Sequence, residues 1–193
     1  MRLPRLKPDE MTAAQRKVFD RISGKRGKLG APYQCWIQSP ELCDRQEAMT
    51  SYCRWECSLR ERLREFGLLL AARFWDAQYS WNAHVDPAIK LGIKPEIIQA
   101  VAEKRTPSFD DEEERIFYEF AMEVLQRHFV SKPVFEAARE KFGNQGVVDI
   151  VANLGAFVTL AMCLNTFEAD LQEDRPPPFA DIRGYGRIGE AQS

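Results

Sequence analysis

The stretch SLRERLREFGLLLAARFWDAQYSWNAHVDPAIKLG, residues 58–92, decides the fold class. Leu59, Leu63, Phe66, Leu70 and Phe74 recur at three- and four-residue spacing, the apolar stripe of an amphipathic helix. Ser58 and Glu61 form a candidate capping box ahead of it, each side chain reaching the other's backbone amide. Asp76 is placed to N-cap a second helix over Gln78 to Leu91, and Gly92 suits its C′ position. The turn between the two helices is short, so they are expected to fold back as a helical hairpin.

Helix signals continue on both sides. Upstream, Met11, Ala14, Val18 and Ile22 mark a helix over Asp9 to Ile22. Gly24 to Gly30 breaks it and carries the basic cluster Lys25, Arg26 and Lys28. Ala31 to Pro40 holds two prolines and reads as a loop; Pro40 to Cys57 reads as helix again. Downstream, Pro95 fits the first turn of a short helix to Glu103. Asp110 to Glu113 starts another that carries Ile116, Phe117, Phe120, Ala121, Val124 and Leu125. Pro133 opens a helix that Gly143 ends, and a long apolar helix then runs to about Glu168. No strand pair is evident, so the expected class is all-α.

The chain has 193 residues, enough for one domain with a core that needs no disulfide staples. Its 27 basic and 29 acidic residues leave a formal charge of −2, with no basic excess to suggest nucleic-acid binding. Arg60, Arg62 and Arg64 alternate with Glu61 and Glu65, the pattern of a solvated helix face. The N-terminus lacks the apolar segment of a secretory signal. The apolar run Val147 to Leu164 is interrupted by Asp149, Asn153 and Gly155 and reads as a core helix, so no membrane partner is expected. Five cysteines without zinc-ribbon spacing suit reduced thiols and a cytoplasmic location. No metal site is expected. Cys53 and Cys57 share a helix face, but that spacing does not favour a disulfide.

Chemistry concentrates at one histidine. His128 closes a helix, where a cation suits the dipole. His84 instead sits among Tyr79, Trp81 and Asn82, and Trp81 lies one turn before it. Pro87 cannot donate to the carbonyl of Ala83, which loosens the helix beside His84. Glu65 lies on the preceding helix, across the Asp76 corner. A carboxylate facing the imidazole would fix its tautomer; the competing reading pairs Glu65 with a surface arginine.

From Glu65 to His84 the chain resembles the carboxymuconolactone decarboxylase and alkylhydroperoxidase D superfamily. Redox members of that group carry a glutamate, a Cys-x-x-Cys pair, and a histidine four residues after the second cysteine. Glu65 and His84 match the outer positions, while the cysteine positions fall on Ala77 and Ser80. Thiol peroxidase chemistry at this site therefore has neither nucleophile nor resolving partner. The decarboxylase-like branch fits better: Gln78-Tyr79-Ser80-Trp81 precedes His84, Leu91-Gly92 follows, and Leu164 to Glu168 ends the last long helix. Gln78 replaces the usual acid, and Leu70 stands where many relatives have arginine.

The resemblance implies an alkylhydroperoxidase D-like helical bundle over residues 32–172. An N-terminal helix and basic loop would precede it at 1–31, and a Pro/Gly-rich tail would follow at 173–193. It implies a homo-oligomer and a cofactor-free decarboxylase, or a related lyase or isomerase, acting on a small carboxylated lactone or enolisable acid. His84 would be the general acid/base, Glu65 its orienting partner and Tyr79 a donor to the developing oxyanion. Trp81, Gln78 and Ser80 would contact the substrate. The alternatives are a peroxidase-type oxidoreductase and a non-catalytic oligomeric binding protein.

Overall fold

The computed structural model describes residues 1–172 and 175–180. These form eight α-helices and, among the described residues, no strand. They are α1 (Ala13–Arg26), α2 (Ala31–Trp36), α3 (Pro40–Ser51), α4 (Glu61–Phe74), α5 (Gln78–Lys90), α6 (Pro95–Ala102), α7 (Glu112–Met122) and α8 (Lys132–Thr166). Single π-helical turns extend α3 over Tyr52–Glu56 and α7 over Glu123–Arg127. Of the expected tail, residues 173, 174 and 181–193, including Gly184, Gly186 and Gly189, lie outside the described residues.

Helix α4 is the centre of the bundle. Nine of its fourteen residues are buried, which makes it a core helix rather than a half-exposed one. It packs against α5 and α8, with α6 and α7 completing the cluster around Leu63, Phe66, Leu69 and Leu70. A second, smaller core joins Val18 and Ile22 of α1, Tyr33 and Trp36 of α2, Cys43 of α3 and Cys163 of α8. Helix α8 is long and apolar enough to cross a membrane by length and composition, yet 56% of its most apolar window is buried inside this bundle. Gly143 interrupts α8 with φ 71° and ψ 177°, at the position where the sequence predicts a stop.

Four local expectations give way to tertiary contacts. Ala31–Trp36 is helical rather than a loop, because Pro32 suits a first helical turn and Pro32, Tyr33, Cys35 and Trp36 are buried. Ser58 does not cap α4, whose N-cap is Arg60 with no side-chain bond. The Ser58 amide and hydroxyl instead donate to Asp149 Oδ2 at 2.8 and 2.6 Å, while Tyr52 donates to Oδ1 at 2.8 Å. Asp76 does not cap α5; it adopts φ 49° in the turn and pairs with Arg73 and with Lys104. The arginines before Glu65 are not merely solvated. Arg62 binds Asp111 and Glu113, and Arg64 donates to the carbonyls of Leu59, Arg54 and Cys57.

Helix α4 approaches α8 closely at Gly67, where a Cβ would lie 2.3 Å from Asn153 Oδ1 and 3.0 Å from the Phe117 ring. Asn153 is fully buried, so its amide has little room to retreat. Gly67→Ala is therefore expected to destabilise the fold by about 1–3 kcal/mol, the usual cost of overpacking, despite the better helix propensity of alanine. Chemical denaturation of the variant measures it; a gain in stability would show that α4 and α8 can separate freely.

Candidate active site

Glu65 and His84 sit at matching heights on α4 and α5, on either side of the Trp75–Ala77 turn. The carbonyls of the last turn of α4 are taken up by Trp75, Asp76 and Ala77, which sends the chain directly back along α4. Glu65 is on the inward face of a helix buried nearly all round, and its side chain keeps only 10% exposure. His84 Nδ1 lies 2.6 Å from Glu65 Oε2, and both side chains are largely covered. Burial pushes the Glu65 carboxyl up; the hydrogen bond and charge of His84, with the nearby Arg54 guanidinium, more than offset it and hold the group below the ordinary carboxylate range. An ionised Glu65 accepts the Nδ1 proton. That leaves Nε2 as the nitrogen available to take or give a proton.

A cavity of about 230 Å³ opens beside this pair. His84, Tyr79, Ser80 and Ala83 line it from α5, and Phe157 and Leu160 from α8. Pro87 lies inside α5, so Ala83 has lost the donor one turn ahead of it next to the imidazole. The two remaining candidate residues lie elsewhere. Trp81 is buried in the main core and meets the Phe179 ring edge-on at 5.8 Å. Gln78 donates through Nε2 to the Phe179 carbonyl at 3.0 Å. Together with Asn82, which donates to the Pro176 carbonyl at 2.9 Å, they hold residues 175–180 along α5. On a helix, Gln78 and Trp81 face roughly away from Tyr79 and Ser80, and the fold gives the first pair to the tail and the second to the cavity.

Cavity residues outside residues 58–92 include Arg26, Lys28, Tyr33 and Arg54. Sequence reasoning assigned Arg26 and Lys28 to a basic loop and gave Arg54 no role. Their only signal is the concentration of basic residues around 25–28, which does not say where the loop docks. His128 is exposed, with φ 64°, after the π turn that follows α7.

The thiols are all buried and unpaired by disulfides. Burial pushes Cys53 up to about 12 and raises Cys57 as well, so neither offers a thiolate near neutral pH. Ala77 is fully buried, and Ser80 presents a hydroxyl where the resemblance would put a redox thiol. Among the described residues no three histidine, cysteine or carboxylate groups gather as metal ligands would.

No protein-family model and no curated protein sequence matches this chain. Solved structures do. An uncharacterised peroxidase-related protein from Ralstonia eutropha with an alkylhydroperoxidase AhpD core superposes with a TM-score of 0.73 at 20% identity, covering 89% of this chain and 92% of that one. A second peroxidase-related protein, from Silicibacter, gives a TM-score of 0.69 at 17% identity over 87% and 88% of the two chains. A debrominase, solved as a cysteine-to-alanine variant with 2,3,4-tribromopyrrole, gives 0.65 at 15% identity over 83% and 87%. The chain thus has the alkylhydroperoxidase D-like helical fold.

Proposed function

We propose that this protein is a cofactor-free acid–base catalyst: a decarboxylase or related lyase/isomerase acting on a small carboxylated lactone or enolisable acid. The observation that carries the reading is the 2.6 Å contact between a buried, ionised Glu65 and His84, which lines a small cavity. This is the arrangement a general acid/base needs, with one ring nitrogen held and the other free. In the decarboxylation, the carbon–carbon bond to the departing carboxylate breaks and its electron pair moves onto the neighbouring carbonyl. Carbon dioxide leaves. The proton on His84 Nε2 goes to carbon, and His84 regains one from solvent. Tyr79, whose side chain has no hydrogen-bond partner among the described residues, is the proposed donor to the transient oxyanion. Ser80 is the proposed second polar contact. The neighbours described as peroxidase-related share the fold, but their name suggests a chemistry for which this cavity has no thiol.

The test is turnover. Purified protein is given 4-carboxymuconolactone and related carboxylated lactones while ultraviolet absorbance and carbon dioxide release are followed. Turnover supports the reading, and inertness towards the whole set removes the lyase assignment.

We also propose that the chain works as a homo-oligomer. Val148, Val151, Gly155 and Met162 form an uncharged stripe along the outer face of α8, with the three larger residues 66%, 48% and 45% exposed. Aligned exposure of this kind differs from scattered surface apolar residues and marks a contact face. The opposite edge of the same helix supplies Phe157 and Leu160 to the cavity. Val151→Lys is expected to dissociate the oligomer in sedimentation velocity. A parent protein that sediments as a monomer at micromolar concentration would remove the proposal.

A further inference from the structure

A second cavity, of about 500 Å³, lies between the C-terminal half of α4, the end of α6, α7 with its π turn, and the start of α8. It shares no lining residue with the cavity beside His84. Leu70 and Phe74 of α4, Val101 of α6, Met122 of α7 and Val134 of α8 supply its apolar surface. Leu70 and Val101 are buried, while Phe74 is 40% exposed. Its size lies within the range of small-molecule sites, which combine an apolar lining with a few placed polar groups.

The charges around it do not cancel. Glu119 is held by Arg115 at 2.9 Å. Glu123 pairs with Arg127 at 2.9 Å and accepts from the Ser131 amide at 2.6 Å. Arg105 pairs with Glu103. Arg73 and Lys104 differ, because they share a single carboxylate. Asp76 binds Arg73 and lies 3.1 Å from Lys104, and among the described residues neither cation has another acidic partner. Two positive charges against one negative leave one unit uncompensated. Arg73 is tied to the protein: it donates to the Ala102 carbonyl at 2.6 Å, and its guanidinium lies 4.3 Å from the Phe179 ring. Lys104 is the mobile member, with a flexible side chain that is 54% exposed. Desolvation and the charge of Arg73 push its ammonium below the ordinary lysine value, as befits a cation short of counter-charge.

One surplus positive charge beside an apolar surface suits a ligand with one negative charge and a hydrocarbon body. We propose that this second cavity binds a small amphipathic monocarboxylate, with its hydrocarbon part against Leu70, Phe74, Val101, Met122 and Val134 and its carboxylate at Lys104. The site stands apart from the chemistry at His84 and does not depend on it.

Calorimetric titration tests this. Butyrate, hexanoate, octanoate, octan-1-ol and octylammonium are titrated into the parent protein and into Lys104→Glu, Val134→Glu and Lys28→Glu. Affinity is expected to rise about three- to fourfold for each methylene added from butyrate to octanoate, the contribution of a buried methylene. Octanoate should bind the parent about fivefold more tightly than octan-1-ol, with octylammonium weakest. Lys104→Glu should lose at least that factor for octanoate and little for octan-1-ol. Val134→Glu places a charge on the apolar surface, in a first helical turn that tolerates an acid, and should weaken both. Lys28→Glu, at the His84 cavity, should leave octanoate affinity within twofold. Circular dichroism verifies that the variants are folded. Absence of octanoate binding at millimolar concentration, or octan-1-ol or octylammonium binding the parent as tightly as octanoate, overturns the proposal. So does unchanged octanoate affinity in folded Lys104→Glu or Val134→Glu. A loss in Lys28→Glu that Lys104→Glu does not show would place the ligand beside His84 and overturn it as well.

Discussion

His84→Ala is expected to lower kcat on any substrate the protein turns over by about 10²–10⁴-fold, the usual contribution of a positioned acid/base. The expectation rests on geometry. Glu65 fixes Nδ1 at 2.6 Å, so alanine removes the ring nitrogen that this contact leaves free and leaves a buried carboxylate without its main partner. Glu65→Gln should cost less in rate but alter the pH profile, because the amide can present either a donor or an acceptor to Nδ1 and no longer selects one tautomer. The sign of its pH effect on stability follows from the depressed Glu65 carboxyl. Its contribution is present above the ordinary carboxylate value and is lost as pH falls through the lower, folded value. Steady-state rates of the parent and both variants, measured across pH, check this. A His84→Ala rate within twofold of the parent would end the assignment.

Acid is expected to loosen the N-terminal helix through Glu47. This carboxylate is 1% exposed on α3, yet Arg21, Lys25 and Arg26 of α1 all approach it, at 2.8, 3.7 and 3.2 Å. Burial pushes its carboxyl up; hydrogen bonds from Ser51 and Arg21 and the charges of Arg26 and Lys25 overcome that and bring it down to about 2. The folded value is depressed, so the stabilisation is complete above about 4.5 and disappears as pH falls towards 2. A shift of this size corresponds to on the order of 3 kcal/mol, reduced because Arg21 and Lys25 are themselves more than 40% exposed and solvent-screened. Glu47→Gln should therefore lower Tm at pH 7 and flatten its fall between pH 5 and 2. A melting temperature that falls with acid as steeply in Glu47→Gln as in the parent would place the sensitive group elsewhere.

The two predictions differ in how visible their residues are before folding. Glu65 and His84 belong to neighbouring helices joined by a tight turn, and hairpin geometry alone suggests that they meet. Glu47 gives no comparable sign. It is one acid in the polar sequence of α3, and its partners lie more than twenty residues upstream, at Arg21 and in the basic cluster that follows. Arg54 is similar, for nothing in its spacing places it at the cavity.

The sequence by itself determined most of the elements and the hairpin. Apolar periodicity marked α4 and α7, and prolines and glycines marked most boundaries, because these are properties of local spacing; the family resemblance, laid on side-chain identity, left no thiol at Ala77 or Ser80. Tertiary structure alone decided how each helix is rotated about its axis and which distant groups fill the space around it. It turned Glu65 inward to His84, with Arg54 as a second and longer partner, gave Gln78 and Trp81 to residues 175–180, took Ser58 from its cap for Asp149, made a helix of Ala31–Trp36, and brought Arg26, Lys28 and Arg54 to one cavity. The physical reason is that burial and hydrogen-bond satisfaction are settled over the whole core at once, where contacts between residues far apart in sequence outweigh the small local preferences that a sequence displays.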